Sequence, residues 1–183
     1  PVHKVTIIPR GMALGLMQQL PEGDKHTYAK EYWLDRICIA FGGRAAEELA
    51  FDEITTGASS DIVAATGIAR RMVCEWGMSD KLGPMAYGQK DSAVFLGKEL
   101  AHQRDYSETT ANQIDSEVRE IIDDQLKRAR DILKKHSPQL EALAQALLKE
   151  ETLDAKQVDE VLNNPSPTSG PASDGGGAQV NAA

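Results

Sequence analysis

An acidic side chain follows a run of small and polar residues in the first half of the chain. The run T-T-G-A-S-S occupies residues 55–60, and Asp61 comes directly after it. The pattern predicts a loop that ends where a helix begins, with Ser59 or Ser60 as the N-cap and Asp61 in the first turn. A carboxylate there is satisfied by backbone N–H groups, or it serves as the third protein ligand of a catalytic zinc ion. The spacing alone leaves both interpretations open.

The histidines and cysteines form no recognisable site of their own. No two histidines have the H-E-x-x-H spacing that places both imidazoles on one helix face for zinc, so each is predicted to be a surface residue. Cys38 and Cys74 are far apart and form no C-x-x-C, which favours buried free thiols in a reducing compartment. The sequence has no G-x-x-x-x-G-K-[ST] P-loop and no G-x-S-x-G nucleophile elbow. The histidines are His3, His26, His102 and His136.

The composition is that of an acidic globular protein. Of 183 residues, 41% are hydrophobic and 26% are charged, and 20 basic against 28 acidic residues give a net charge of −8. An acidic chain repels a phosphate backbone, and no run of Lys or Arg supplies a basic patch, so no nucleic-acid partner is expected. No apolar stretch reaches the roughly 18 residues that a membrane-spanning helix needs. The segment itself is therefore expected to be soluble.

A β-hairpin is predicted at the start of the chain. Residues 5–8 are rich in β-branched side chains and end at Pro9, Arg10 and Gly11 supply a turn, and residues 14–17 resume an alternating pattern. The strand at residues 5–8 is expected to be able to pair with a further extended peptide by β-addition.

The first helical segment contains two glycines that admit two interpretations. The helix is predicted to begin near Thr27, and apolar residues keep helical spacing on both sides of Gly42 and Gly43. Each glycine in a helix interior costs about 1 kcal/mol relative to alanine. Close packing against another backbone would explain them in one continuous helix. A break between two helices is the alternative.

A second helix, after Ser60, is predicted to stop at Gly77. The segment that follows, residues 78–106, is rich in glycine and therefore predicted to be mostly loop. A short apolar piece interrupts it at residues 94–96.

The last third of the chain is predicted to be helical. Ser107 caps a long amphipathic helix, Ser137 and Pro138 form the N-cap and first position of a second helix, and residues 152–154 begin a third. From residue 164 onward the sequence is dominated by Pro, Ser, Gly and Ala, which is typical of a disordered tail.

Several stretches, in order along the chain, together resemble the FtsH-type family of membrane-anchored, ATP-dependent zinc metalloproteases of the AAA superfamily. Any one stretch is a weak signal, whereas the ordered set covers roughly residues 1–163. The stretches are V-H-K-V-T-I-I-P-R-G at residues 2–11, G-G-R-A-A-E-E at 42–48, T-T-G-A-S-S-D-I at 55–62, W-G-M-S to K-L-G-P at 76–84, V-F-L-G at 94–97 and E-T-L-D at 151–154.

The resemblance implies a mostly α fold, a helical metalloprotease peptidase domain with a small N-terminal β-hairpin or sheet. It implies that residues 1–106 are a partial zinc peptidase core and that residues 107–163 are the C-terminal helical part of the same domain. Residues 164–183 remain the predicted disordered tail.

The resemblance also assigns roles to acidic residues. Asp61 matches the third protein ligand of Zn²⁺, beside the two histidines of H-E-x-x-H. Glu47 is expected to hold a zinc-bound histidine from behind and so fix its tautomer and orientation, with Glu48 as the next candidate. A solvated charge on a helix face is the alternative for Glu47.

One large departure from the family concerns the H-E-x-x-H helix. In the family it lies shortly before the stretch at residues 2–11, and this sequence, which begins at Pro1, does not contain it. We therefore expect the chain to be the C-terminal part of the protease and to be inactive alone. The general-base glutamate, the ATPase with its ATP and Mg²⁺, and the transmembrane helices are expected upstream of Pro1.

The resemblance further implies protein substrates, a homo-hexamer and attachment to the membrane through the upstream helices. The expected location of the whole protein is the cytoplasmic face of the bacterial inner membrane. A non-catalytic helical assembly module of a ring-forming protein is the alternative function. Codons for H-E-x-x-H upstream of Pro1 would decide for the enzyme.

Overall fold

A computed structural model of the chain describes residues 2–9, 11, 15–20, 27–88 and 106–165. The chain divides into two units. One contains Asp24–Lys135, and the other joins Pro1–Gly23 to His136–Ala183.

The unit of Asp24–Lys135 is built around one long helix. Among its described residues, α1 spans Lys30–Ala40, α2 spans Gly42–Phe51, α3 spans Ser59–Cys74 and α4 spans Glu108–Lys135. The long helix α4 packs against each of the other three. Fully burying one large apolar side chain stabilises such a core by about 1.5–3 kcal/mol. The side chains with no exposed surface are Ile37, Ala45, Ala65, Ala69, Met72 and Val73.

Gly42 and Gly43 lie at a break between two helices. α1 begins at Lys30, later than the predicted start near Thr27, and ends at Ala40. Phe41 is buried in the core, and α2 begins at Gly42. A Cβ added at either glycine would meet nothing within 4 Å. The expectation that close backbone packing explains the two glycines is therefore wrong.

The start of α3 also differs from the prediction. A short 3₁₀ helix, Thr56–Ala58, leads directly into α3, so Ser59 and Ser60 lie inside α3 and neither caps it. Thr55 caps the 3₁₀ turn instead, because its Oγ1 accepts a hydrogen bond from the Gly57 N–H at 3.1 Å. The capping side chain thus lies before the 3₁₀ turn rather than at the start of α3.

The other end of α3 leads into a tight turn. α3 ends at Cys74, before the predicted stop at Gly77. Gly77 has a φ of +59°, and a Cβ there would lie 2.9 Å from the Cα of Pro84. Both the positive φ and the close backbone approach require glycine at this position.

A buried glutamate ties the loop after α3 to α4. Glu117 on α4 is 9% exposed, and Ser79 Oγ donates a hydrogen bond to its Oε2 at 2.6 Å. Lys81 Nζ lies 2.7 Å from Oε1 as an ion pair, although its approach is not aligned for a hydrogen bond to this buried oxygen. Burial raises the pKa of Glu117, but the contacts with Lys81 and Ser79 outweigh it, so the pKa lies below the usual glutamate range.

The other unit contains a three-stranded antiparallel sheet in the order β2-β1-β3. β1 spans Val2–Thr6, β2 spans Leu16–Gln19 and β3 spans Thr152–Asp154. The hairpin prediction is confirmed by the pairing of β1 with β2. The prediction that residues 152–154 begin a helix is wrong for Thr152 and Leu153, which pair with β1, whereas Asp154 also caps the helix that follows.

The central position of β1 overturns one functional expectation. Val5 lies opposite Met17 of β2 on one side and Leu153 of β3 on the other. Beyond the strand, the Ile7 N–H donates to the Glu151 carbonyl at 3.0 Å. The prediction that this strand pairs with an extended peptide is therefore wrong for Val5 and Thr6, which are already paired on both sides.

Two helices complete this unit. α5 spans Ser137–Glu150, and α6 spans Ala155–Asn163. Ser137 is the first residue of α5 and not its N-cap, contrary to the prediction. Asp154 caps α6 in a capping box, because its Oδ1 accepts from the Gln157 N–H and its own N–H donates to Gln157 Oε1, each at 2.9 Å. The buried residues of this unit's core are Leu147, Leu153 and Val158.

The predicted fold class, mostly α with a small N-terminal sheet, is confirmed. The Ser107 cap of α4 is confirmed as well, because the Thr110 N–H donates to Ser107 Oγ at 3.2 Å.

The apolar piece at residues 94–96 lies outside the described residues, as does the predicted tail beyond residue 165. Within the described ranges, no helix combines the length and hydrophobicity that crossing a membrane requires.

We expect Ser79→Ala to destabilise the unit that contains Glu117. The substitution removes the donor to a buried carboxylate oxygen, which costs about 1–3 kcal/mol. Urea unfolding at neutral pH measures the change. Ser116→Ala, at an exposed position next to Glu117 on α4, is the control and should change the free energy of unfolding by less than about 0.5 kcal/mol. Equal stabilities of the two variants would contradict the role of Ser79.

The lowered pKa of Glu117 makes stability depend on pH. Because the folded-state pKa lies below the unfolded value of about 4.3, the contribution of the ionised carboxylate is complete above that value and is lost as the pH falls through the folded-state pKa. We expect the free energy of unfolding to fall less steeply in Glu117→Gln than in the parent from about pH 5 to about pH 3. Urea titrations at stepped pH give both slopes, and identical slopes would count against this assignment.

Candidate metal centre

Asp61 lies in the first turn of α3 with an exposed side chain. No described residue forms a hydrogen bond or ion pair with its carboxylate. The interpretation in which backbone N–H groups satisfy this carboxylate therefore finds no support. A free carboxylate at the surface, close to the positive end of a helix, is chemically suited to accept a cation as an oxygen ligand.

The turn before Asp61 is held by a short hydrogen-bonded chain. α2 ends at Phe51, and its C-cap residue Asp52 adopts the left-handed conformation with a φ of 52°. Thr55 then caps the 3₁₀ helix through Gly57. The 3₁₀ helix contacts both α2 and α3, and its last residue, Ala58, is buried. The backbone leading to Asp61 is thus fixed by local contacts.

Glu47 lies near the C-terminal end of α2 and faces this turn. The Thr55 hydroxyl donates to the Glu47 carboxylate, with Oγ1 at 3.1 Å from both Oε1 and Oε2. A Cβ added at Gly57 would lie 3.6 Å from Glu47 Oε1. Glu47 is half-buried, and its contact with Thr55 lies at an exposed position.

Glu48, the next candidate, has different partners. Arg130 Nε on α4 donates to Glu48 Oε2 at 2.7 Å, and Arg44 Nε donates to Oε1 at 3.1 Å. The hydrogen bond from Arg130 is the main cause that lowers the pKa of Glu48. Glu48 is thus paired with two guanidinium groups, one within α2 and one on α4, whereas no cation among the described residues pairs with Glu47. The uncompensated charge makes Glu47 the better candidate for a contact with a metal ligand.

The described residues supply one candidate ligand and not a complete metal site. No group of three or more His, Cys, Asp or Glu in these ranges is arranged to hold a metal ion. The two described histidines, His3 and His136, belong to the unit that does not contain Asp61. Asp61 itself fits zinc, because an aspartate oxygen that is not paired with another group can be a third protein ligand of catalytic zinc.

The contact between Thr55 and Glu47 was not anticipated from the sequence. Thr55 belongs to the T-T-G-A stretch that precedes Asp61, and this local pattern contains no signal of its partner on α2. A hydroxyl residue that follows a predicted helix end and precedes a glycine was the available signal for the cap. Nothing in the local pattern indicated that its proton would be directed at Glu47.

Comparison with known proteins matches residues 1–161 to peptidase family M41. The ATP-dependent zinc metalloprotease FtsH 2 of Methylacidiphilum infernorum is 52% identical over 184 residues, covering 97% of this chain and 29% of that relative. FtsH 4 of Sorangium cellulosum is 53% identical over 163 residues, covering 88% of this chain and 25% of the relative. FtsH of Acidobacterium capsulatum is 51% identical over 162 residues, covering 88% of this chain and 25% of that relative.

The chain therefore spans between a quarter and a third of the length of these relatives. The match favours a peptidase over a non-catalytic assembly module, and the resemblance carried by the ordered stretches is confirmed. Because the family model matches residues 1–161 of the 183, the chain belongs to peptidase family M41.

Proposed function

We propose that the chain is the peptidase part of an ATP-dependent zinc metalloprotease, with Asp61 as the zinc ligand that it contributes. The observation that carries this proposal is an exposed carboxylate without a described partner, in the first turn of α3, in a chain of peptidase family M41. The printed names of the relatives, each an ATP-dependent zinc metalloprotease, support the reaction class.

The roles of the two acidic residues follow from their chemistry. Asp61 would supply an oxygen ligand and one negative charge to the dication. Glu47 would accept a hydrogen bond from the ring N–H of a zinc-bound histidine, which fixes the tautomer that presents the other nitrogen to the metal. Zinc, when bound, lowers the pKa of its coordinated water and polarises the scissile carbonyl of a peptide.

The remaining catalytic groups are proposed to come from outside this chain. The two histidine ligands and the general-base glutamate would belong to an H-E-x-x-H helix, and ATP with Mg²⁺ would be handled by a separate ATPase domain. We further propose protein substrates, a homo-hexameric assembly and attachment to the cytoplasmic face of the bacterial inner membrane. Residues 1–106 and 107–163 remain the proposed core and C-terminal part of the peptidase domain.

We expect Asp61→Asn, placed in the full-length protein, to lose zinc and proteolysis while ATP hydrolysis continues. The amide keeps the shape of the side chain and removes the charge that balances the dication. Zinc content by atomic absorption, casein cleavage and phosphate release measure the three properties. Asp159→Asn, which changes another exposed aspartate in α6, is the control and should leave all three intact.

The same substitution should cost little folding stability. Only a first-turn dipole interaction is lost, which is worth about 0.3–1 kcal/mol. Undiminished proteolysis in Asp61→Asn would refute the ligand assignment, whereas loss of all three activities together with a large loss of stability would point to a folding defect.

The 183-residue chain by itself is expected to bind zinc only weakly and not to cleave casein. One aspartate ligand, even supported by Glu47, does not provide the three protein ligands of a catalytic zinc site. Equilibrium dialysis against zinc followed by mild chelation tests this expectation. Stoichiometric zinc that survives chelation would show that the ligands have been misplaced.

A further inference from the structure

The Thr55 hydroxyl lies between a backbone donor and the Glu47 carboxylate. It accepts from the Gly57 N–H at 3.1 Å and donates to Glu47, at 3.1 Å from each carboxylate oxygen. A hydroxyl has one proton to donate and two lone pairs. Because an ionised carboxylate can only accept, the hydroxyl proton is the one shared with Glu47.

We propose that Thr55 is a positioning residue that orients the Glu47 carboxylate toward a metal-bound histidine. This inference rests on the proposed roles of Asp61 and Glu47. A carboxylate offers about four lone-pair sites, so a hydrogen bond from Thr55 still leaves sites free to accept an imidazole N–H. Holding the carboxylate in one orientation before the metal arrives lowers the entropy lost when the site forms.

The neighbouring charges do not compete for Glu47. Arg44 of α2 and Arg130 of α4 both donate to Glu48. Among the described residues, the hydrogen bonds to the Glu47 side chain come from Thr55. The orientation of this carboxylate therefore depends on one neutral donor, whose hydrogen bond does not neutralise the charge that would act on an imidazole.

Gly57 keeps the space around this contact open. A Cβ at Gly57 would lie 3.2 Å from Thr55 Oγ1 and 3.6 Å from Glu47 Oε1. The first of these distances is tighter than ordinary van der Waals contact, so Gly57→Ala would displace the hydroxyl. The absence of a side chain at Gly57 thus preserves the link between the turn and the carboxylate.

A simpler role for Thr55 is that of a turn cap only. The capping bond from Gly57 is real, and its loss would loosen the 3₁₀ turn whatever happens at Glu47. The two roles predict different effects on zinc affinity when Thr55 and Glu47 are substituted together. If Thr55 acts through Glu47, removal of the hydroxyl has no further effect on zinc once Glu47 has been neutralised. If it acts only as a cap, the two losses add.

The test uses the full-length protein and zinc alone as the probe, in competition with a chromogenic zinc chelator. We expect Thr55→Val and Glu47→Gln each to weaken zinc affinity, on the order of 10–100-fold. Thr55→Ser keeps the hydroxyl and should remain close to the parent. Thr109→Val, at an exposed position in the first turn of α4, is the matched control and should not change zinc affinity.

The double variant Thr55→Val/Glu47→Gln should bind zinc as Glu47→Gln does. Additive losses, or parental affinity in Thr55→Val, would overturn the positioning role. If circular dichroism shows that Thr55→Val does not fold, Gly57→Ala is measured in its place: weakened zinc binding supports the proposal, and parental binding overturns it.

Asp61→Asn distinguishes a failure of the proposed metal site from a failure of the role proposed for Thr55. Zinc retained in Asp61→Asn refutes the proposed metal site itself, whereas zinc lost there but retained in Thr55→Val refutes only the role of Thr55.

Discussion

The rotational setting of α2 against α4 determines where Glu47 of the candidate site points. Arg130 on α4 holds Glu48, and Arg44 holds it from within α2. Removing one partner of a partly buried ion pair leaves a charge that is costly to keep unpaired, so α2 does not rotate freely. Consecutive residues on an α-helix are about 100° apart, and fixing Glu48 toward α4 therefore turns Glu47 toward the segment that follows α2.

The fold was predictable where local rules determine it. The helices follow from apolar spacing, and the Ser107 cap of α4 was predicted because a cap involves only nearby residues. β3 was missed because a strand as short as Thr152–Asp154 exists through its pairing with β1, at the opposite end of the sequence. Its threonine also contacts β1, through the Thr6 and Thr152 hydroxyls 2.7 Å apart. Propensity in a short window does not contain such a partner.

The candidate site was predictable in part, and for a different reason. Asp61 and Glu47 were singled out by resemblance to a family, since spacing alone did not separate a ligand from a first-turn carboxylate. The choice between Glu47 and Glu48 depends on Arg130, which is 82 positions away from Glu48 in sequence. The contact of Thr55 with Glu47 depends on the left-handed residue Asp52, which turns the chain back toward α2. Both are consequences of tertiary structure.

The exposure of the Thr55–Glu47 contact bears on why it exists. A hydrogen bond that water can replace contributes little to the net free energy of folding, so stability does not account for this contact well. Its physical effect is to restrict the torsions of one carboxylate, whose long side chain would otherwise sample many rotamers. That restriction becomes useful only when a further donor meets the same carboxylate. Under the function proposed above, this restriction would prepare the Glu47 carboxylate to accept a hydrogen bond from a zinc-bound histidine.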